Sequence, residues 1–318
     1  MGRVSGMVIV QKYKSEDKSL WDQFVQKSKN GTFLFFRDYM EYHEKRFQDY
    51  SLLIYDEKRQ LIALFPANKK DNIIYSHEGL TFGGFIVGNK VTTEIVLSIF
   101  CETKNFLKKN NINKMIYKCI PFIYHKYPAE EDQYALFVND ACLVRRDVST
   151  AIYLPERYAY QERRMRAVKK AIKHGVKVKK SEDYNAFWQV LTEVLYSQHN
   201  TTPVHSIDEI ILLAKRFKDN IKLYIATLDE RILAGTVIFE NDKVAHTQYL
   251  ANSEEGRSTG ALDLVIHYLV TEVYKDKIYF DFGISNEKQG RFLNTGLIAQ
   301  KEGFGARAVV HDFYSLDI

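Results

Sequence analysis

One order of secondary-structure elements occurs twice along these 318 residues, and that repetition constrains the fold more than any single motif. In the first half, VIVQKY (8–13) reads as a strand, and SLWDQFVQKS and FRDYMEYHEKRF read as helices. YSLLIYDEKRQLIALFPANKKDNIIYSHEG reads as three strands joined by polar turns at DEKRQ and NKKDN. The glycine-bearing LTFGGFIVGN leads into a helix from about Thr92 to Lys109, with Ile95, Ile99 and Phe106 on one stripe. A strand KMIYKCIPF, a helix AEEDQYALFVNDA and a strand VRRDVSTAIYL complete the half.

The second half repeats the succession. GVKVKKS (175–181) reads as a strand, and DYNAFWQVLTEVLYSQ and SIDEIILLAKRF read as helices started by Asp and Ser caps. KLYIATLDERILAGTVIFENDKVAHTQYLA is a second three-strand meander, turning at Asp229-Glu230 and Asn241-Asp242. GRSTGALDLVIHYL then opens a helix to about Tyr274, and KIYFDFGIS (277–285) is a strand. Between the halves, Pro155 stands at a first-turn position of a helix over 156–174 that ends before Gly175, with Met165, Val168 and Ile172 as its apolar stripe. The expectation is two α/β (α+β) domains, 1–154 and 155–318, each a mixed, mainly antiparallel sheet flanked by helices.

Length and composition agree with two cores: the 46% hydrophobic share and five prolines leave no tract suited to long disorder. No apolar window of spanning length and no signal-peptide core occurs, so the expected setting is soluble and cytoplasmic. The three cysteines, Cys101, Cys119 and Cys142, are widely spaced among apolar residues and read as buried reduced thiols, with no metal site among them. Charge is uneven: from Arg157 to Lys180 ten Lys/Arg face the single acid Glu162, so a polyanionic partner is to be sought there.

The stretch 256–261 has the makings of an anion site. Glycines permit close approach, the first amides of a helix lack internal partners, and Arg257 adds a charge. The plainer reading is a helix cap. Arg257-Ser-Thr-Gly260-Ala261 resembles the R/Q-x-x-G-x-G/A loop of the GNAT acyltransferase superfamily, in its place after the central meander strand. YFDFGIS and the later Lys301-Glu-Gly303-Phe304-Gly305 resemble the FemAB-like branch, in which two GNAT-like domains are fused. Asp281-Phe282-Gly283 also spells the kinase DFG, but no kinase glycine loop, strand lysine or HRD precedes it.

The resemblance implies an N-acyltransferase of peptidoglycan or cell-envelope polysaccharide type. Its cofactor would be acyl-CoA (acetyl-CoA) as donor, held at Gly256, Arg257, Ser258, Thr259, Gly260 and Ala261. The acceptor would be an amine on a small molecule or on a lipid- or nucleotide-linked sugar or peptide, held between the domains. LTFGGF in the first half has no arginine, so one donor site is expected. The alternative is transfer from aminoacyl-tRNA onto a peptidoglycan precursor, although the coiled-coil arm common in tRNA users has no counterpart here. A catalytically dead scaffold or carbohydrate-binding protein is the alternative from another class, since a fold does not fix a function. DNA is not an expected partner.

In that fold the acyl group lies where the strands 243–251 and 277–285 part. His246 is the natural general base, and its other reading is a satisfied strand histidine. Along the first strand, His246, Gln248 and Leu250 share one face and Thr247 and Tyr249 the other. Asp281, in an apolar strand, either orients His246 or binds the acceptor amine, unless it is a structural tie. Tyr314 is the candidate proton donor to a leaving thiolate. Lys301 is placed to stabilise a phosphate or an oxyanion, with an exposed turn lysine as the commoner fate. Arg164, Lys169 and Tyr249 complete the candidate substrate contacts, the first two on a basic helix that otherwise reads as a solvated charged face.

Overall fold

The computed structural model describes residues 8–318; strands and helices follow in the expected order in both halves, with the three-strand meander intact in the second. The chain divides into two compact units. The first is the chain up to Asp147 with Lys288–Arg291 and Val310–Ile318; the second is Val148–Glu287 with Phe292–Val309. A single cut at 154 therefore does not describe them, because the long strands Cys142–Tyr153 and Arg307–Asp317 each run from one unit into the other.

In the first unit Ile9–Lys12, Leu52–Tyr55, Leu61–Phe65 and Ile86–Val87 form an antiparallel sheet. The expected three-strand meander breaks after Phe65. Asn68–Lys70 and Ile73–Tyr75 form a hairpin of their own, and Ile73–Tyr75 runs parallel to Lys114–Lys118. Leu52, Ile54, Phe65, Ile99, Phe100 and Tyr117 fill the core beneath the helix Thr93–Lys109. Cys119 is buried there, but Cys101 and Cys142 are exposed, contrary to the reading of three buried thiols.

In the second unit the order is Lys177–Ser181, Ile221–Leu228, Arg231–Glu240, Val244–Asn252, Tyr279–Ile284 and the end of Cys142–Tyr153. All neighbours are antiparallel except Val244–Asn252 with Tyr279–Ile284. Asp229 and Glu230, both at positive φ, make the tight turn expected of a two-residue hairpin. One face of the sheet packs on the helices Glu162–Lys173 and Ala261–Tyr268 through Ile238, Ala245, Phe280, Val168, Ala171 and Val265. Helix Tyr184–His199 takes the other face, where Trp188 meets Tyr249 edge-on at 4.9 Å. Asp183 caps that helix, and Ser206 with Glu209 forms a capping box on Ile207–Arg216.

The basic helix starts at Glu162 rather than beside Pro155. The Gln161 amide is spent on the Gly303 carbonyl, and the Tyr158 carbonyl lies against Gly305, so 155–161 follows the 303–305 turn instead of coiling. Its buried stripe is Val168 and Ala171; Ile172, expected inside, is 59% exposed. No helix among the described residues is long and apolar enough to cross a membrane.

Candidate active site

The parallel pairing of the strands Val244–Asn252 and Tyr279–Ile284 lasts three residues. Val244 faces Tyr279, Ala245 faces Phe280, His246 faces Asp281, and beyond that pair the register ends although both strands continue. A gap in a sheet at this point leaves room for a ligand between strands. His246 and Asp281 stand at its apex.

Two irregularities shape the gap. On the histidine strand, Thr247 pairs with Ile238 and Tyr249 with Val237, so Gln248 is the extra residue of a bulge. A bulge takes one residue out of the ladder and reverses the alternation beyond it. Ala245 and Leu250 consequently pack on the same core although they lie five positions apart. Tyr249, expected opposite His246, comes round to the His246 face: its partner Val237 and the His246 partner Phe239 alternate on one side of their strand.

On the aspartate strand, Asp281 pairs with Ala151 but Ile284 with Ser149, again one residue out of step, and Gly283 at φ 74° carries the kink. Only glycine takes that conformation cheaply.

The His246 Nδ1–H donates to Asp281 Oδ2 at 2.8 Å. Asp281 is completely buried, and its Oδ1 accepts from the Ser149 hydroxyl at 2.5 Å and from the Gly283 amide at 3.1 Å. With Nδ1 committed, Nε2 is the ring nitrogen left to take a proton. Lys301 is not an exposed turn residue. It lies in the last turn of the helix Thr295–Glu302, is 5% exposed, and its Nζ donates to the Gly283 and Ile284 carbonyls at 2.8 Å each. Burial pulls its ammonium down to about 8, against the opposing pull of Asp281.

The remaining predicted residues fall elsewhere. Tyr314 belongs to the first unit, paired with Tyr117 and packed on that unit's core. Tyr249 gives its hydroxyl to His205, whose Nδ1 lies at 2.6 Å and whose amide donates at 3.1 Å; burial raises the phenol to about 12. Arg164 is ion-paired to Asp263 at 2.9 Å, which removes it as a free anion contact, whereas Lys169 is exposed on the basic face.

The stretch 256–261 is not a loop. Ser253 caps a short helix Glu254–Thr259, Gly260 breaks it at φ 83°, and Ala261 begins the next helix. The Arg257 amide donates to Ser253 and the Gly260 amide to Gly256, so neither is an orphan helix amide. Nor do the glycines open space for a ligand. A Cβ at Gly260 would lie 2.4 Å from the Ala167 carbonyl oxygen, and one at Gly256 2.4 Å from the Leu233 carbonyl. The Ser258 and Thr259 hydroxyls both bond back to the Glu255 carbonyl. Arg257 reaches a cavity of about 490 Å³, which it shares with Glu193, Arg231, Glu254 and Glu255.

Sequence reasoning missed Ser149, Gln248, Gly283 and His205. A Ser-Thr pair inside the apolar strand VSTAIYL was the one available sign for Ser149; a bulge has no sequence mark. Among the described residues no group of three or more His, Cys, Asp or Glu is placed to hold a metal ion.

The family model of the Acetyltransferase (GNAT) domain matches residues 156–289, a span that holds both splayed strands and the His246–Asp281 pair. The whole chain has the fold of FemX, with a TM-score of 0.68 at 11% identity over 96% of each chain. It is similar also to L-PGS from Bacillus licheniformis, with a TM-score of 0.62 at 12% identity over 96% of this chain and 92% of that one. A tandem GNAT protein from the clavulanic acid biosynthesis pathway aligns over 98% of both chains at 9% identity and a TM-score of 0.53. At these identities the likeness is one of fold alone. No curated protein gives a significant sequence match.

Proposed function

We propose that this chain is an N-acyltransferase in which His246, oriented by Asp281, is the general base, and that its donor is an acyl-CoA thioester. The observation that carries the reading is the 2.8 Å bond from His246 Nδ1 to Asp281 Oδ2 at the last paired position of two parting strands. His246 Nε2 takes a proton from the acceptor ammonium, and the freed amine attacks the acyl carbonyl. A C–N bond forms, the C–S bond breaks, and the departing sulfur takes the surplus proton of the attacking nitrogen to leave as thiol, while the imidazolium returns its proton to solvent. As His246 becomes positive, the buried Asp281 carboxylate offsets the new charge. Arg257, on the wall of its cavity, is the residue of the 256–261 stretch retained as a donor contact; its helical neighbours support the backbone.

The test is thiol release from acetyl-CoA with a panel of amino sugars and amino-terminal peptides, using wild type, His246→Ala and Arg257→Ala. The reading expects turnover that His246→Ala abolishes and a raised donor KM in Arg257→Ala. Turnover untouched by His246→Ala would remove His246 from its role, and no turnover together with no acetyl-CoA binding would remove the donor.

The exposed basic face of helix Glu162–Lys173 favours a second reading, an aminoacyl-tRNA donor. Lys169, Lys170 and Lys173 stand free on it with Glu162 as the only acid of the helix. That version expects tRNA binding that weakens steeply with salt and collapses on charge reversal of the three lysines. Absent or salt-insensitive binding counts against it.

A further inference from the structure

Asp281 is engaged on both sides of its carboxylate. Oδ2 meets His246, and Oδ1 meets the Ser149 hydroxyl and the Gly283 amide. A completely buried carboxylate keeps its charge only if donors and counter-charges surround it. Ser149, itself fully buried, is a donor that can point nowhere more useful: it lies one strand over, where the register has already slipped.

The slip has a second effect. Successive carbonyls of a regular strand point in opposite directions, so one ammonium cannot reach two of them in a row. The kink at Gly283 turns the Gly283 and Ile284 carbonyls to the same Lys301 Nζ. Lys301 thus ties the segment directly after Asp281 to the helix Thr295–Glu302, whose start is fixed by the Asn294 cap on Leu297 and by the Asn294 amide on the Ser285 carbonyl. Lys301 also brings a buried positive charge within electrostatic reach of Asp281. An ammonium with 5% exposure and two carbonyls on it has little left to offer a ligand.

We propose that Ser149 and Lys301 are positioning residues of the catalytic pair. Ser149 occupies the far oxygen of Asp281, and Lys301 fixes the Gly283 turn and supplies the counter-charge. Together they hold Asp281 as a one-sided acceptor for the His246 Nδ1–H and leave Nε2 bare toward the strand gap. Lys301 acts here through Asp281 and Gly283, not by touching donor or acceptor. The proposal rests on His246 being the general base, but its first readout does not depend on turnover.

That readout is the nitrogen-15 spectrum of the histidine-labelled full chain, with His246 assigned by its loss in His246→Gln. In wild type the neutral ring is expected with Nδ1 protonated and Nε2 bare. Ser149→Ala and Lys301→Met are each expected to shift the ring toward a mixture of tautomers. Both should lower kcat about 10-fold or more while moving the donor and acceptor KM less than about 3-fold. Ser149→Thr, which keeps a hydroxyl, should recover most of the loss. A wild-type ring protonated at Nε2, or an unchanged tautomer in both variants, overturns the proposal. So does a Lys301→Met enzyme with kcat intact and KM raised, because that marks Lys301 as a substrate contact. If His246→Gln turns over normally while the tautomer results hold, the general-base reading fails and the positioning network stands.

Discussion

Gly283 lies against the imidazole of His246: a Cβ added at Gly283 would stand 3.2 Å from His246 Cε1 and 3.9 Å from Nε2. The backbone there is at φ 74°, so glycine is required both for the turn and for the ring beside it. Gly283→Ala is therefore expected to cost about 1 kcal/mol of stability from the left-handed conformation, and to cut kcat by pushing on the ring. Urea unfolding alongside steady-state kinetics checks both. A variant as stable and as active as wild type would mean that the ring has slack.

Asp281→Asn tests the orientation of His246 without changing shape. The amide can donate as well as accept, so the Nδ1–H is no longer selected and Nε2 can carry the proton instead. A fall in kcat of about 10² or more is expected, the scale of losing a general base. Equal kcat in the two proteins would separate Asp281 from the chemistry.

The succession of elements was legible from periodicity, and Asp281 stood out as a polar residue in an apolar strand, with orienting His246 one of its readings; the parting of the two strands was implied by the family resemblance alone. What stayed hidden depends on tertiary contact. Tyr249 changes face because of a bulge at Gln248 that no residue type announces. Arg164 reads as a free cation in sequence, yet it meets Asp263 from a helix 99 positions away. The glycines 256 and 260 read as a cradle because glycine serves equally for approach by a ligand and for approach by another backbone. Here Ala167 and Leu233 occupy the space.

That occupancy makes a third prediction. At Gly260 an alanine would combine φ 83° with a Cβ 2.4 Å from the Ala167 carbonyl, and backbone cannot yield as a flexible side chain does. Gly260→Ala should therefore destabilise by ~2–3 kcal/mol as the helix Glu162–Lys173 is pushed off. The donor KM should move much less than in Arg257→Ala. If Gly260→Ala instead loses donor binding at full stability, ligand and not helix lies over the glycine.

Buried lysines give the protein a pH dependence of unusual sign. Lys301 in the second unit and Lys118 in the first each hold an ammonium against backbone carbonyls, Lys118 against those of His77, Glu78 and Leu80. Burial lowers each to about 8 from an ordinary 10.5. Above pH 8 the folded chain has released these protons while the unfolded chain still binds them. Stability then increases with pH, since its slope follows the protons bound by the unfolded state minus those bound by the folded one. Cys119 works the other way from about pH 9: burial holds its thiol protonated in the fold after the unfolded thiol has ionised. The clean window is pH 8 to 9, where urea midpoints should rise by the equivalent of about 1–2 kcal/mol. Lys301→Met should start from a different stability at pH 7 and show roughly half the rise. A flat or falling profile between pH 8 and 9 in wild type would mean that these ammonium groups stay protonated inside the fold.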